Sequence, residues 1–204
     1  MRSIPLKKSV IAGVLVLALM IPATGSAATR MSATGATCLT KAGMVFSPWG
    51  DLTSYALAPG GSFEGTSGWS LVSASPVAGN EPWHIRSAKD STSLSINAGG
   101  SATSPLFCGT LATPTIRFFV RSASVTAKLQ VDVLYPSFDG TVKSLTIGTV
   151  AGTTTWAPTN AMLLLVNFLA LASPTGQVDL AVRVTATSGT WQVDDAYVDP
   201  FRKG

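Results

Sequence analysis

The sequence predicts an all-β fold: a jelly-roll β-sandwich preceded by an ordered N-terminal extension. Three observations lead there. Short apolar segments that alternate with polar residues recur through the second two thirds of the chain, each bounded by Gly, Pro, Asn or Ser. Only 12% of the 204 residues are charged, while Gly, Ser, Thr, Ala and Val are abundant, so paired helix-forming residues are scarce. Finally, two acid-bearing segments far apart, Phe63-Glu64 with Gly68-Trp69 and Trp191 to Val198, read as the opening and closing strands of one sandwich.

Residues 1–27 read as a secretory leader. Arg2, Lys7 and Lys8 precede an apolar run from Val10 to Ile21, Pro22 ends it, and Gly25 to Ala28 suit signal peptidase. The run is shorter than the roughly 20 residues a spanning helix needs, so no membrane span is expected after cleavage. Residues 28–61 form the extension. Val45, Phe46, Trp49, Tyr55 and Leu57 give it enough apolar area to pack, and Pro59-Gly60-Gly61 turns it into the sandwich, 62–200.

Strands are expected at Gly68–Val77, Trp83–Arg86, Leu94–Ile96, Thr115–Arg121, Lys128–Tyr135, Ser144–Val150, Val178–Ala186 and Thr190–Val198. Asn97 to Gly100 reads as a turn, and Phe138-Asp139-Gly140 as a hairpin. Met162 to Leu171 is apolar throughout. Periodicity leaves it open between strand and helix, and a strand entering a helical turn is the preferred reading.

Cleavage leaves about 176 residues, enough for one domain with a substantial core. The formal charge of +4 falls to about +1 when the leader's basic residues go, so the electrostatic footprint of a nucleic-acid binder is missing. Cys38 and Cys108 are the two cysteines. An exported chain favours a disulfide between them over two thiols or a metal pair.

Carboxylates on apolar strands need partners, because a lone buried charge is costly. Glu64, Asp194 and Asp195 are in that position. A shared cation would satisfy them, and so would backbone N–H groups. Alternation puts Asp195 on the face of Trp191 and Val193, and Asp194 on the other. Alternation also gives Arg117, Phe119 and Arg121 one face of their strand. If the strands are neighbours, Asp132 and Arg183 join them in a polar face suited to a sugar, or to solvated ion pairs. Trp69, Trp191 and Trp156 read as packing residues. Trp49 and Trp83, flanked by loop residues, are the ligand candidates. His84 is the lone histidine, and Glu64 and Glu81 are the only glutamates. No nucleophile elbow, zinc helix or carboxylate pair asks for an enzyme.

The motifs Phe63-Glu64, Gly68-Trp69, Ile116 to Arg121, Trp156 and Trp191 to Val198 resemble, in that order, the galactose-binding-like β-sandwich. The arrangement is similar to carbohydrate-binding modules of the 4/9 type, and the whole chain resembles a group of secreted actinobacterial proteins. The resemblance implies a structural calcium ion held by Glu64 and one of Asp194 or Asp195. It also implies a secreted, non-catalytic module that binds carbohydrate. The alternative is a structural or protein-interaction component of the cell envelope.

Overall fold

The computed structural model describes residues 36, 38–39, 41–65, 68–137 and 139–200. The expected leader lies outside the described residues, as do Thr66 and Ser67 of the loop after Glu64. Eleven strands follow in order: β1 Ala56–Leu57, β2 Ser70–Ala78, β3 Thr92–Thr103, β4 Phe107–Gly109, β5 Thr115–Ser122, β6 Lys128–Pro136, β7 Val142–Ala151, β8 Ala157–Pro158, β9 Met162–Leu163, β10 Val178–Ser188 and β11 Trp191–Val198. Their order across the curled sheet is β7-β6-β10-β3-β11-β5-β8, with every pairing antiparallel. The fold is an all-β jelly-roll sandwich.

One strand serves both layers. The second half of β3 pairs with β10 (Ser101↔Thr185), and the first half with β11 (Ile96↔Trp191). Asn97 to Gly100 is therefore not the expected turn but a kink inside one strand, the usual way a strand changes sheet. The kink needs its glycines. Gly99 has φ 78°, and a Cβ on Gly100 would meet the Ser73 carbonyl oxygen at 2.7 Å. On β2, Ser73 is itself left-handed and marks the register shift.

Inward residues from both layers meet in one core. Leu94, Ile96, Ile116, Phe118 and Val120 pack with Leu129, Val131, Val133, Leu180, Val182, Val184, Trp191 and Val193. The period-2 patterns of β5, β6 and β10 thus had one meaning, a buried face. Met162 to Ala172 closes one end: β9 pairs with β5, and a 3-10 turn follows over Asn167–Ala172. That matches a strand leading into a helical turn. Leu164, Val166 and Ala170 plug the core, while Leu163, Leu165, Phe168 and Leu171 stay exposed. No helix among the described residues is long and apolar enough to cross a membrane.

Two expected strands are absent. Phe63-Glu64 lies in a bend, because Phe63 sits at φ 54°, a backbone state a strand cannot hold. Its ring still enters the core, 5.0 Å from Trp69. Trp83–Arg86 is a series of turns inside the long β2–β3 connection, with His84 at φ 49°.

The extension belongs to the sandwich physically. Tyr55 and Phe46 pack on Phe119 and Tyr197, and β1 pairs with the end of β11 (Leu57↔Tyr197). A disulfide joins Cys38 to Cys108 across 70 residues. Replacing both cysteines by serine should lower unfolding stability by roughly 2–4 kcal/mol. Denaturant midpoints of the oxidised chain and the double variant check this.

Candidate functional site

Register brings three polar side chains together on the outer face of one layer. Gln192 of β11 is opposite Ser95 of β3 on one side and Arg121 of β5 on the other. Their neighbours Leu94, Ile96, Trp191, Val193 and Val120 point into the core, so these three point out. They floor a cleft of about 280 Å³, walled by Thr154 and Thr190. Arg121 Nε donates to Gln192 Oε1 in a close contact, and its guanidinium lies 5.3 Å from the Trp156 ring. The contacts hold Arg121 in place.

An aromatic ledge adjoins this cleft. Phe119, two residues back along β5, is fully buried beneath Phe46, Trp49 and Trp83, with ring centroids 5.3, 5.3 and 5.6 Å away. Trp49 and Trp83 meet edge to face at 4.8 Å, and Trp83 remains 42% exposed. The loop that carries Trp83 is shaped by Glu81. That carboxylate accepts the Trp83 and Ile85 backbone N–H groups at 2.6 Å each, folding the chain around itself.

Arg117 has a different task. It donates to Asp51 at 2.6 Å and to the Thr159 carbonyl at 2.9 Å, with its guanidinium 4.2 Å over the Phe46 ring. Burial would raise the Asp51 pKa, but the Thr53 N–H, Arg117 and Tyr55 outweigh it and bring it to about 2. Arg117 and Asp51 clamp the extension to the sheet.

The single polar face expected from alternation is two faces. Arg117, Phe119 and Arg121 lie outside one layer, and Asp132 and Arg183 outside the other. β10, β3 and β11 separate β6 from β5, although the two are adjacent in sequence. Sequence neighbours became opposite layers because the connection from Ala123 to Ala127 crosses the edge of the sandwich. Asp132 pairs with Arg183 at 2.9 Å and also accepts from Gln130 and Thr146. Burial raises its pKa, but those donors prevail and lower it.

The carboxylates expected at the chain's two ends are placed as follows. Glu64 accepts the Ser91 and Thr92 N–H groups at 2.6 Å, holding the start of β3. Burial opposes its ionisation, yet these bonds lower its pKa. Asp194 accepts the Glu81 N–H at 2.9 Å and the Asp195 N–H at 2.8 Å. A β-bulge interrupts β11 between Asp194 and Tyr197, with Asp195 at φ 43°. The extra residue resets the alternation: Ala196 and Val198 face the core and Tyr197 faces out. Asp195 is thus the bulge residue rather than the next core-facing one.

Both aspartates are buried. Burial, aided by the neighbouring carboxylates, lifts Asp194 to about 8. It lifts Asp195 to about 7, with Glu81 and Asp90 adding to burial and Arg86 opposing it. Among the described residues neither Asp195 oxygen has a close hydrogen-bonded partner, the Arg86 N–H acting only at longer range. Arg86 forms a close ion pair with Asp90 and is raised by Asp90, and also by Asp195 and Glu64.

Among the described residues no three His, Cys, Asp or Glu side chains form a metal-ligating group. The free oxygens of Asp195 fit a hard cation. Glu64 and Asp194 are already engaged by N–H donors, so backbone carbonyls would have to complete the shell.

Sequence reasoning passed over Glu81, Gln192 and Ser95. Gln192 and Ser95 become visible only when the neighbours of β11 are known. Trp156, read as packing, also braces the cleft's arginine. A larger depression of about 460 Å³, between Tyr135, Leu169 and Asp179, lies at the end of the sandwich beside the 3-10 turn.

No protein-family model matches the chain, nor does any curated protein sequence. Solved structures do. One is the CBM22 and catalytic modules of an endo-1,4-β-D-xylanase from Clostridium thermocellum, complexed with xylohexaose. It is 15% identical over 67% of this chain and 26% of that one, with TM-score 0.45. This chain therefore spans about a quarter of that protein. A CBM22 xylan-binding domain from Paenibacillus barcinonensis matches at 14% identity, over 66% of this chain and 86% of that one, TM-score 0.43. A family 11 carbohydrate-binding module of a Clostridium thermocellum cellulase matches at 13%, over 72% and 94%, TM-score 0.41. Overlap and identity at this level assign no ligand to this chain.

Asp194 and Asp195 hold their protons more tightly folded than unfolded. The stability they lend is complete below about pH 4 and is lost as pH rises through 7 to 8. Thermal melts should fall by roughly 5–10 °C between pH 5 and pH 8.5. The Asp195→Asn variant should flatten that slope.

Proposed function

We propose that the protein is a secreted, non-catalytic module that binds carbohydrate on the outer face of β3, β11 and β5. The observation that carries this is the pairing of an exposed indole ledge with a polar cleft on one sheet face. Trp83 offers a ring face to a sugar's C–H surface, as ligand-stacking aromatics do. Arg121 and Gln192 offer planar hydrogen-bonding groups beside it. Among the described residues no carboxylate lines the cleft, whereas glycoside hydrolysis normally needs two, which favours binding over turnover. The 4/9-type order of the Phe63-Glu64 and Trp191 to Val198 motifs adds sequence support.

The site residues of this reading are Arg121, Trp83 and Trp49, joined by Gln192, Ser95 and Trp156. Calorimetry against soluble xylan, mixed-linkage glucan and galactan checks it. Trp83→Ala should weaken the best ligand at least about tenfold while leaving the fold intact, since the ring is half exposed. Unchanged affinity would remove the ledge from the site.

Calcium is the proposed brace of the closing strand. Asp195 would ligate it, with nearby backbone carbonyls, and the ion would neutralise buried charge. Because the metal needs the ionised carboxylate, its effect should grow with pH. At pH 8, calcium should raise the melting temperature several degrees over chelator, and Asp195→Asn should abolish the difference. Equal melts would discard the ion.

The alternative is a structural or protein-interaction component of the cell envelope. One observation favours it: the extension covers much of the face, leaving Phe119 with no exposure. Binding to an envelope protein, with none to glycans, would select it.

A further inference from the structure

We infer that the cleft between β3, β11 and β5 takes an anionic sugar unit, one bearing a carboxylate or sulfate, with Arg121 as its anchor. This rests on the glycan-binding reading and names the class of its ligand.

The first ground is an unbalanced charge. Four arginines are described, and three are paired with an aspartate: Arg86 with Asp90, Arg117 with Asp51 and Arg183 with Asp132. Arg121 has no acidic partner among the described residues. Its one side-chain hydrogen bond there goes to the neutral carboxamide oxygen of Gln192. In a chain this sparing of charge, the other three guanidiniums each serve an internal contact, and Arg121 is left facing outward from the sheet.

The second ground is preorganisation. Gln192 occupies Nε and Trp156 lies against the guanidinium plane, so the side chain is held without its terminal edge being used. The two Nη groups remain as a planar fork, the geometry that matches a carboxylate bidentately. Nη2 lies beside Gly79, where even an added Cβ would stay 3.9 Å away.

The third ground is the lining. Ser95, Thr154 and Thr190 contribute hydroxyls, and among the described residues no acid lines the cleft to repel an anion. A volume of about 280 Å³ is at the small end for a ligand site and suits one sugar ring. The Trp83 ledge covers Phe119, two residues or about 7 Å along β5, where the adjoining sugar of a polymer would stack.

The test is calorimetry with the oxidised full chain against polygalacturonate, its methyl ester, a sulfated galactan and neutral xylan. Polygalacturonate or the sulfated galactan should bind, and methyl esterification should weaken polygalacturonate at least about tenfold, since it removes the charge and leaves the ring. Binding of the first alone identifies a carboxylate, and of the second alone a sulfate. Arg121→Gln should lose the same factor on the anionic ligand with its melting temperature unchanged, and Arg121→Lys should not restore it. Equal affinity for polygalacturonate and its ester, or for wild type and Arg121→Gln, overturns the inference. Binding to xylan alone overturns it too, while leaving the glycan-binding reading standing. No binding to any of the four overturns both.

Discussion

Strand β11 is the element on which the rest of the structure depends. Its first half is flanked by β3 and β5, and its second half by β1 and β5. Between them the bulge opens the ladder, and other parts of the chain fill the gap. Ala196 exchanges backbone hydrogen bonds with Ala58 and Gly61 of the extension, at 2.8 and 2.9 Å. Asp194 holds the Glu81 N–H at the start of the loop that carries Trp83. A regular strand would have spent those groups on its neighbours. The bulge frees them to anchor the extension and the indole loop, at the cost of burying two acids.

That cost explains the local electrostatics. Asp194, Asp195 and Glu81 are packed within one buried neighbourhood, and burial, reinforced by the neighbouring carboxylates, raises the pKa values of the two aspartates. Glu81 relieves part of the strain by accepting two backbone N–H groups, and Arg86 with Asp90 supplies a charge nearby. The same loop therefore stabilises the closing strand and positions Trp83. Stability and the candidate ligand face are coupled through a few hydrogen bonds.

The face itself is divided. The extension buries the Phe119 and Tyr197 side of the sheet under Phe46 and Tyr55, with Arg117 and Asp51 as its clasp. The Arg121 side stays open. Aromatic rings at the boundary, Trp49 and Trp83, belong to both: they pack on Phe119, and Trp83 stays 42% exposed. A sheet face half covered by its own chain keeps one short cleft instead of a long groove. Under the proposed carbohydrate-binding role, a cleft of that length suits a few sugar units.

The sequence by itself determined the all-β class, most strand positions, the Cys38–Cys108 bridge and the packing roles of Trp69 and Trp191. These follow from local signals: period-2 alternation, turn residues, and the even cysteine count of a chain that reads as exported. Only the tertiary structure decided which faces coincide. Arg117 and Asp132 carry the same alternation signal, yet they point to opposite sides, because strand order is set by long-range pairing and not by chain order. Backbone states escaped for the same reason. Nothing local marks Phe63 or Asp195 as left-handed, and a single bulge takes Asp195 out of the core-facing alternation while Asp194 keeps to the Phe119 face. Glu81 and Gln192 were unreadable as partners because the contacts that define them join strands and loops far apart in the chain.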